Sequence, residues 1–125
     1  MRDPICKAKS PNGWAEGYLV KLADGYKVYT ADGTAVSVEE DTIRFSTGRV
    51  VRGNKLFEKD IVRVRAAFMF VDWDDELFEY WLYYFNRDGE RVRFAALSEI
   101  AEWECSRILG NFFENEDLVR KLRLR

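Results

Sequence analysis

Leu56-Phe57-Glu58-Lys59-Asp60-Ile61-Val62-Arg63-Val64-Arg65 begins with two near-neighbour carboxylates and passes into branched apolar residues that alternate with arginine. Strict alternation over such a run is the period of a strand with one face buried and one wet. The stretch therefore reads as a tight loop feeding a strand. Continuing the pattern, Ile61 or Val62, then Val64, Ala66, Phe68 and Phe70 predict one long strand reaching Val71, with Arg63 and Arg65 on its outward face.

Short patterned runs between turn formers continue on both sides. Upstream, Ile5-Cys6-Lys7-Ala8-Lys9 is a first strand closed by Ser10-Pro11-Asn12-Gly13. Trp14 to Leu22 forms a second, and Gly17 inside it marks a bulge or a close approach of backbone. Asp24-Gly25 and Asp32-Gly33 are hairpin signals around Tyr26 to Thr30, and Ala35 to Val38 adds another strand. Thr42 to Thr47 sets Ile43, Phe45 and Thr47 against Thr42, Arg44 and Ser46 and ends at Gly48.

Downstream, Asp72-Trp73-Asp74-Asp75-Glu76 reads as an acidic loop. Leu77 to Phe85 holds six aromatics and favours a strand, returned through the turn Asn86-Arg87-Asp88-Gly89. Leu97 to Trp103 allows a helical turn, the segment to Leu109 leans to strand, and Gly110-Asn111 is expected to break it. Asn115 to Arg123 is a short helix, with Asn115 as N-cap, acids first and bases last, as the helix dipole favours. The expected fold is mainly β: a small SH3-like barrel or roll built from a β-meander, with a short C-terminal helix, as one domain over 1–125.

Composition supports a packed core. Hydrophobic residues make up 47% of the 125 and aromatics 15%, which excludes a disordered chain. A net charge of −2 points to neither a nucleic-acid coat nor a membrane surface. The first residues lack an apolar signal core and no run reaches membrane-spanning length, so a cytoplasmic location is expected. Cys6 and Cys105 lie far apart without a Cys-x-x-Cys spacing, and two reduced, packed thiols are expected rather than a disulfide.

The chemistry-bearing residues divide into three groups. Glu58 and Asp60 suit either acid–base work or the closure of a turn through backbone N–H groups, and the second reading is preferred. Asp72, Asp74, Asp75 and Glu76 offer oxygen ligands but lack calcium-loop spacing. A solvated loop tip is expected, with Trp73 packed into the core or presented as an anchor to a partner. The basic residues Arg44, Arg49, Arg52, Lys55, Lys59, Arg63 and Arg65 would line a sheet face for nucleic acid, or else pair with the acidic segments. There is no histidine, phosphate-binding glycine loop or metal-ligand cluster, and neither cysteine has an activating motif. No enzyme, cofactor or metal is therefore expected.

Four blocks also resemble one family. Asn12-Gly13-Trp14-Ala15-Glu16-Gly17-Tyr18-Leu19 is similar to the "nGxWxeGyL" pattern of the YopX family, small proteins encoded by bacteriophages and prophages. Thr42 to Gly48 resembles its "TvgqyTG" segment, and Leu56 to Val62 its "IfEGDiV" signature. Ile108 to Leu118 resembles its closing "viGNiyEnpeLl". Lys59 and Arg44 stand where the family has glycine, and Glu116 where it has proline. Lys59 in particular implies a changed loop backbone or a lost contact. The resemblance implies a mainly β, SH3-like fold in an infected or lysogenic bacterium. It carries no established molecular role, so no catalytic residue transfers.

The functional expectation is a non-enzymatic protein-interaction module that modulates a host or defence factor, with Arg44, Arg63, Arg65 and Trp73 as partner-binding residues. Glu58, Asp60, Gly110 and Asn111 are expected to be structural. Opposed charge runs are compatible with a homo-oligomer. The alternative is a nucleic-acid-binding accessory protein using the basic strands 42–65.

Overall fold

Alternating runs broken by Asp-Gly and Asn-Gly turns can bury one face only by pairing with neighbours, and here they do so as antiparallel hairpins. The computed structural model describes residues 4–101 and 104–123. Strand accounts for 59% of the chain and helix for 12%, so the fold is mainly β. Two compact units divide near residue 48, one running up to Gly48 and the other starting at Arg49. No described helix is long and apolar enough to cross a membrane.

The N-terminal unit contains β1 (Ile5–Ser10), β2 (Gly13–Leu22), β3 (Gly25–Tyr29), β4 (Ala35–Val38), a 3-10 turn (Glu40–Thr42) and the start of β5 (Arg44–Val51). The strands lie in the order β4-β3-β2-β1-β5. Cys6 is buried with Ala8, Ala15 and Val28, and Leu19, Val36, Ile43 and Phe45 pack around them. Gly17 is a close approach, as its sequence context suggests. A Cβ there would lie 1.9 Å from the carbonyl oxygen of Tyr29. Past β4 the chain turns back on β1. Glu39 N–H donates to the Lys9 carbonyl at 2.9 Å, and Lys9 N–H donates to Thr42 Oγ1 at 2.8 Å.

On β5 and the residues leading into it, the polar set is the more buried one. Thr42, Arg44 and Ser46 are the buried set, while Ile43, Phe45 and Thr47 are half-buried. Specific partners make this tolerable. Thr42 Oγ1 bridges to the Glu39 carbonyl, the Arg44 guanidinium lies 4.8 Å from the Trp14 ring centroid, and Ser46 Oγ accepts from Gly48 N–H.

In the C-terminal unit, β5 ends and β6 (Asn54–Phe57), β7 (Asp60–Val64), β8 (Ala67–Asp74), β9 (Glu79–Phe85), β10 (Arg91–Ala96), β11 (Cys105–Asn111) and α1 (Glu116–Arg123) follow. Its main sheet has the order β10-β9-β8-β7-β11. Both sheets are open, so the expected barrel does not close.

The long strand expected from Ile61 to Val71 is a hairpin. Ile61 pairs with Phe70 and Val64 with Ala67. Arg65 takes a left-handed φ of 57° in the two-residue turn, a conformation usually signalled by glycine or asparagine. Its N–H donates to the Glu104 carbonyl at 3.1 Å. The break expected at Gly110-Asn111 falls at its second residue, since β11 runs to Asn111 with register shifts on the way and a turn follows.

Alternation places two clusters on the two faces of this sheet. Val62, Val64, Met69, Val71, Tyr80 and Leu82 bury one face with Val51, Leu56, Leu97 and Ile100. Arg49 ties this side down by donating to the Leu97 and Ile100 carbonyls. On the other face Ile61, Phe70 and Tyr83 meet Leu122 of α1, with Leu118 and Val119 alongside. Full burial of a leucine such as Leu122 contributes about 1.5–3 kcal/mol.

Candidate functional site

The opening stretch forms a clasp between β7 and β11. Asp60 Oδ2 accepts Phe57 N–H at 2.8 Å and so closes the turn between β6 and β7. Glu58 Oε2 accepts the Tyr80 hydroxyl at 2.9 Å, and both acids are buried. Lys59 has φ 68°, the left-handed region that glycine enters without cost. Its N–H reaches the Val71 carbonyl at 2.8 Å and its carbonyl accepts Phe112 N–H at 3.1 Å. Opposite, Asn111 pairs with Asp60 in the ladder, and its Oδ1 accepts the N–H groups of Phe113 and Glu114, each at 2.9 Å. Gly110 is needed there because a Cβ would lie 2.4 Å from Asn115 Oδ1, which accepts Asn111 N–H. Thus Glu58, Asp60, Gly110 and Asn111 meet at one end of β7.

The acidic segment 72–76 is not a loop throughout. Asp72 and Asp74 belong to β8 and are 9% and 3% exposed. Strand alternation turns both to the face that carries Tyr83, where Arg91 and Arg93 cross from β10. Asp72 Oδ2 accepts from Lys59 Nζ and, at 2.9 Å, from Arg91. Arg91 lies 4.1 Å from the Tyr83 ring centroid on its way. Asp74 is held more fully: Arg93 Nε at 2.6 Å, Arg93 Nη2 at 3.1 Å and the Tyr83 hydroxyl at 2.6 Å. The Arg93 hydrogen bonds hold the Asp74 carboxyl well below its ordinary range against the opposing effect of burial, and the Tyr83 and Leu77 bonds add to them. Burial, followed by the bond to Asp74, pushes the Tyr83 phenol up to about 12.

Asp74 also shapes the turn between β8 and β9. Its Oδ1 accepts the N–H groups of Glu76 and Leu77, each at 3.0 Å, and its carbonyl accepts Phe78 N–H at 2.8 Å. The turn presents Leu77 and Phe78 outward. Phe78 is 74% exposed, with φ 55°. A bulky residue in that region is uncommon and costs on the order of 1 kcal/mol. At the opposite end of the same hairpin is an open apolar groove of about 510 Å³, lined mainly by Phe68, Met69, Tyr84, Phe85, Phe94 and Leu122, with Arg87 at its rim.

The four residues expected to bind a partner have separate fates. Arg44 is only 4% exposed and lies over Trp14 in the N-terminal unit, so burial removes it from any contact surface. Trp73 is half-buried, edge-on to Tyr80 with centroids 5.0 Å apart, and packs against the core of its own unit. Arg63 and Arg65 are exposed on the β7–β8 hairpin; Arg63 Nε donates to the Arg65 carbonyl, and Arg65 pairs with Glu104 at 3.2 Å. Trp103 lies outside the described residues.

Reading the sequence missed Arg91, Arg93 and Tyr83, and it missed the tip at Leu77-Phe78. A signal existed for the arginines: Asp-x-Asp and Arg-x-Arg each place two like charges on one strand face. Among the described residues, no group of three or more cysteines and carboxylates is arranged to hold a metal ion. Neither a scan of protein-family models nor a search of curated proteins finds a match to this chain.

Proposed function

We propose that the protein is a non-catalytic interaction module whose contact element is the Leu77-Phe78 tip. The observation that carries this reading is the exposure of Phe78 in a left-handed backbone, held there by a buried and fully engaged aspartate. A large apolar side chain displayed on a tethered turn has little conformational freedom left to lose on binding, which favours it as an anchor. The resemblance to the YopX family supports a phage or prophage origin and a bacterial host or defence factor as the partner. Lys59 supports that resemblance too, because its φ is one a glycine would adopt.

The nucleic-acid reading is weaker on these geometries. Arg44 lies over Trp14, Arg49 bonds two carbonyls, Lys59 pairs with Asp72, Arg63 bonds the Arg65 carbonyl and Arg65 pairs with Glu104, so at least five of the seven basic residues make internal contacts.

The test is affinity capture from bacterial host lysate with wild type, Phe78→Asn and Arg63→Glu side by side. A partner held by wild type and lost with Phe78→Asn supports the reading. Identical recovery by wild type and Phe78→Asn overturns it. Salt-sensitive binding to single- or double-stranded DNA, abolished by Arg63→Glu, would instead favour the nucleic-acid alternative.

A further inference from the structure

We infer that the protein self-associates head to tail, with the Leu77-Phe78 tip of one copy seated in the apolar groove of the next. The inference rests on the tip being a binding element and names its occupant as a second copy of this chain.

The two features lie at opposite ends of one hairpin. The tip follows Asp74, while the groove is built at Phe68, Met69, Tyr84 and Phe85, with Phe94 and Leu122 beside them. Strands of this length span roughly 20–25 Å, so the tip of a chain cannot reach its own groove. A knob at one end and a matching hole at the other make a heterologous contact, which propagates into rings or open chains.

Size and charge both fit. The groove, at about 510 Å³, is within the range that accommodates small ligands and has room for a leucine and a phenylalanine side chain. Its rim carries Arg87 and the tip carries Asp75, both exposed, while Glu76 beside it pairs with Arg93 of its own chain at 3.4 Å. Seating the tip therefore brings acid to base around an apolar centre, the usual anatomy of a recognition site.

The competing symmetric arrangement is unfavourable. β10 is an edge strand, and two copies could pair along it. Antiparallel pairing centred on Val92 would set Arg91 of one copy against Arg93 of the other, and like charges opposite one another destabilise a ladder. A bulge between Arg93 and Ala95 further interrupts that edge.

Sedimentation velocity of the full chain over a wide concentration range tests this inference. Wild type is expected to show a sedimentation coefficient that rises with concentration. Phe78→Asn and Phe94→Glu should each weaken association about thirtyfold or more, with unchanged circular dichroism. Mixing these two variants should yield one-to-one heterodimers and nothing larger, since one intact tip and one intact groove remain. Asp75→Lys should weaken association a few-fold, and adding Arg87→Glu to it should restore binding. Leu77→Ser supplies a second tip variant if Phe78→Asn perturbs the fold. Wild type that stays monomeric throughout, association that survives both single variants, or a mixture that stays monomeric overturns the inference. Loss of a host partner on Phe78→Asn alongside a monomeric wild type would leave the interaction reading standing and remove only the self-association.

Discussion

At the scale of single residues, backbone conformation decides more than side-chain type. Gly17 was legible because a glycine inside a strand pattern weakens the strand unless a bend or a close neighbour requires it. Gly17→Ala would drive a methyl group into the Tyr29 carbonyl, 1.9 Å from the Cβ position. The expected cost is about 3 kcal/mol, read as a lower midpoint in urea denaturation; an unchanged midpoint would show that the two strands separate freely at that point. Arg65 and Phe78 were not legible, because both hold φ values that their side chains disfavour. Local propensity announced a break at the acidic run but placed it two to three residues early, and it missed the turn at Arg65, so the expected long strand is in fact two.

Among elements, the informative event is the crossing of β10 arginines over Tyr83 to carboxylates on β8. Asp74→Asn removes the charge that Arg93 and the Tyr83 hydroxyl both address. Loss of charged hydrogen bonds at a buried group costs about 2–3 kcal/mol. The pH dependence follows from direction. The folded-state pKa of Asp74 is depressed, so its contribution is complete above the unfolded carboxylate value of about 4 and is lost as pH falls through the folded value. The melting-temperature gap between wild type and Asp74→Asn should therefore be constant from neutral pH down to about 4 and close below it. A gap that closes near neutrality would place the stabilising group elsewhere. Tyr83 acts at the other end of the scale. With its pKa raised to about 12, its contribution is complete below about 10 and is lost as pH rises through 12. The aspartates read as a loop and stand in a strand for a physical reason: a charge signals a loop only when water must solvate it, and here guanidinium groups replace the water.

Considering the chain as a whole, the long-range step is the pairing of β11 with β7, which brings Asn111 opposite Asp60 and lays α1 over Ile61, Phe70 and Tyr83. A chain ending at Ala101 lacks β11 and α1. It should lose the near-ultraviolet circular dichroism of its packed aromatics and bind a hydrophobic dye such as ANS. Retention of the native aromatic signal would show that the β7–β10 strands hold that face without cover. The position of β11 was only weakly readable, since Glu102 to Leu109 suits helix or strand until a partner edge is available.

The amino-acid sequence by itself determined the mainly β class, the hairpins with glycine turns, the C-terminal helix and the turn-closing role open to Glu58 and Asp60. These follow from alternation and from turn chemistry, both set by neighbours in the chain. Tertiary structure alone decided which residues stand together in the candidate site. Burial of Asp72, Asp74 and Arg44 depends on partners 9 to 30 positions away, as with Tyr83 on Asp74 and Arg44 over Trp14, and the display of Leu77 and Phe78 follows from the Asp74 so held. The cost of burying a charge is settled only when such partners arrive.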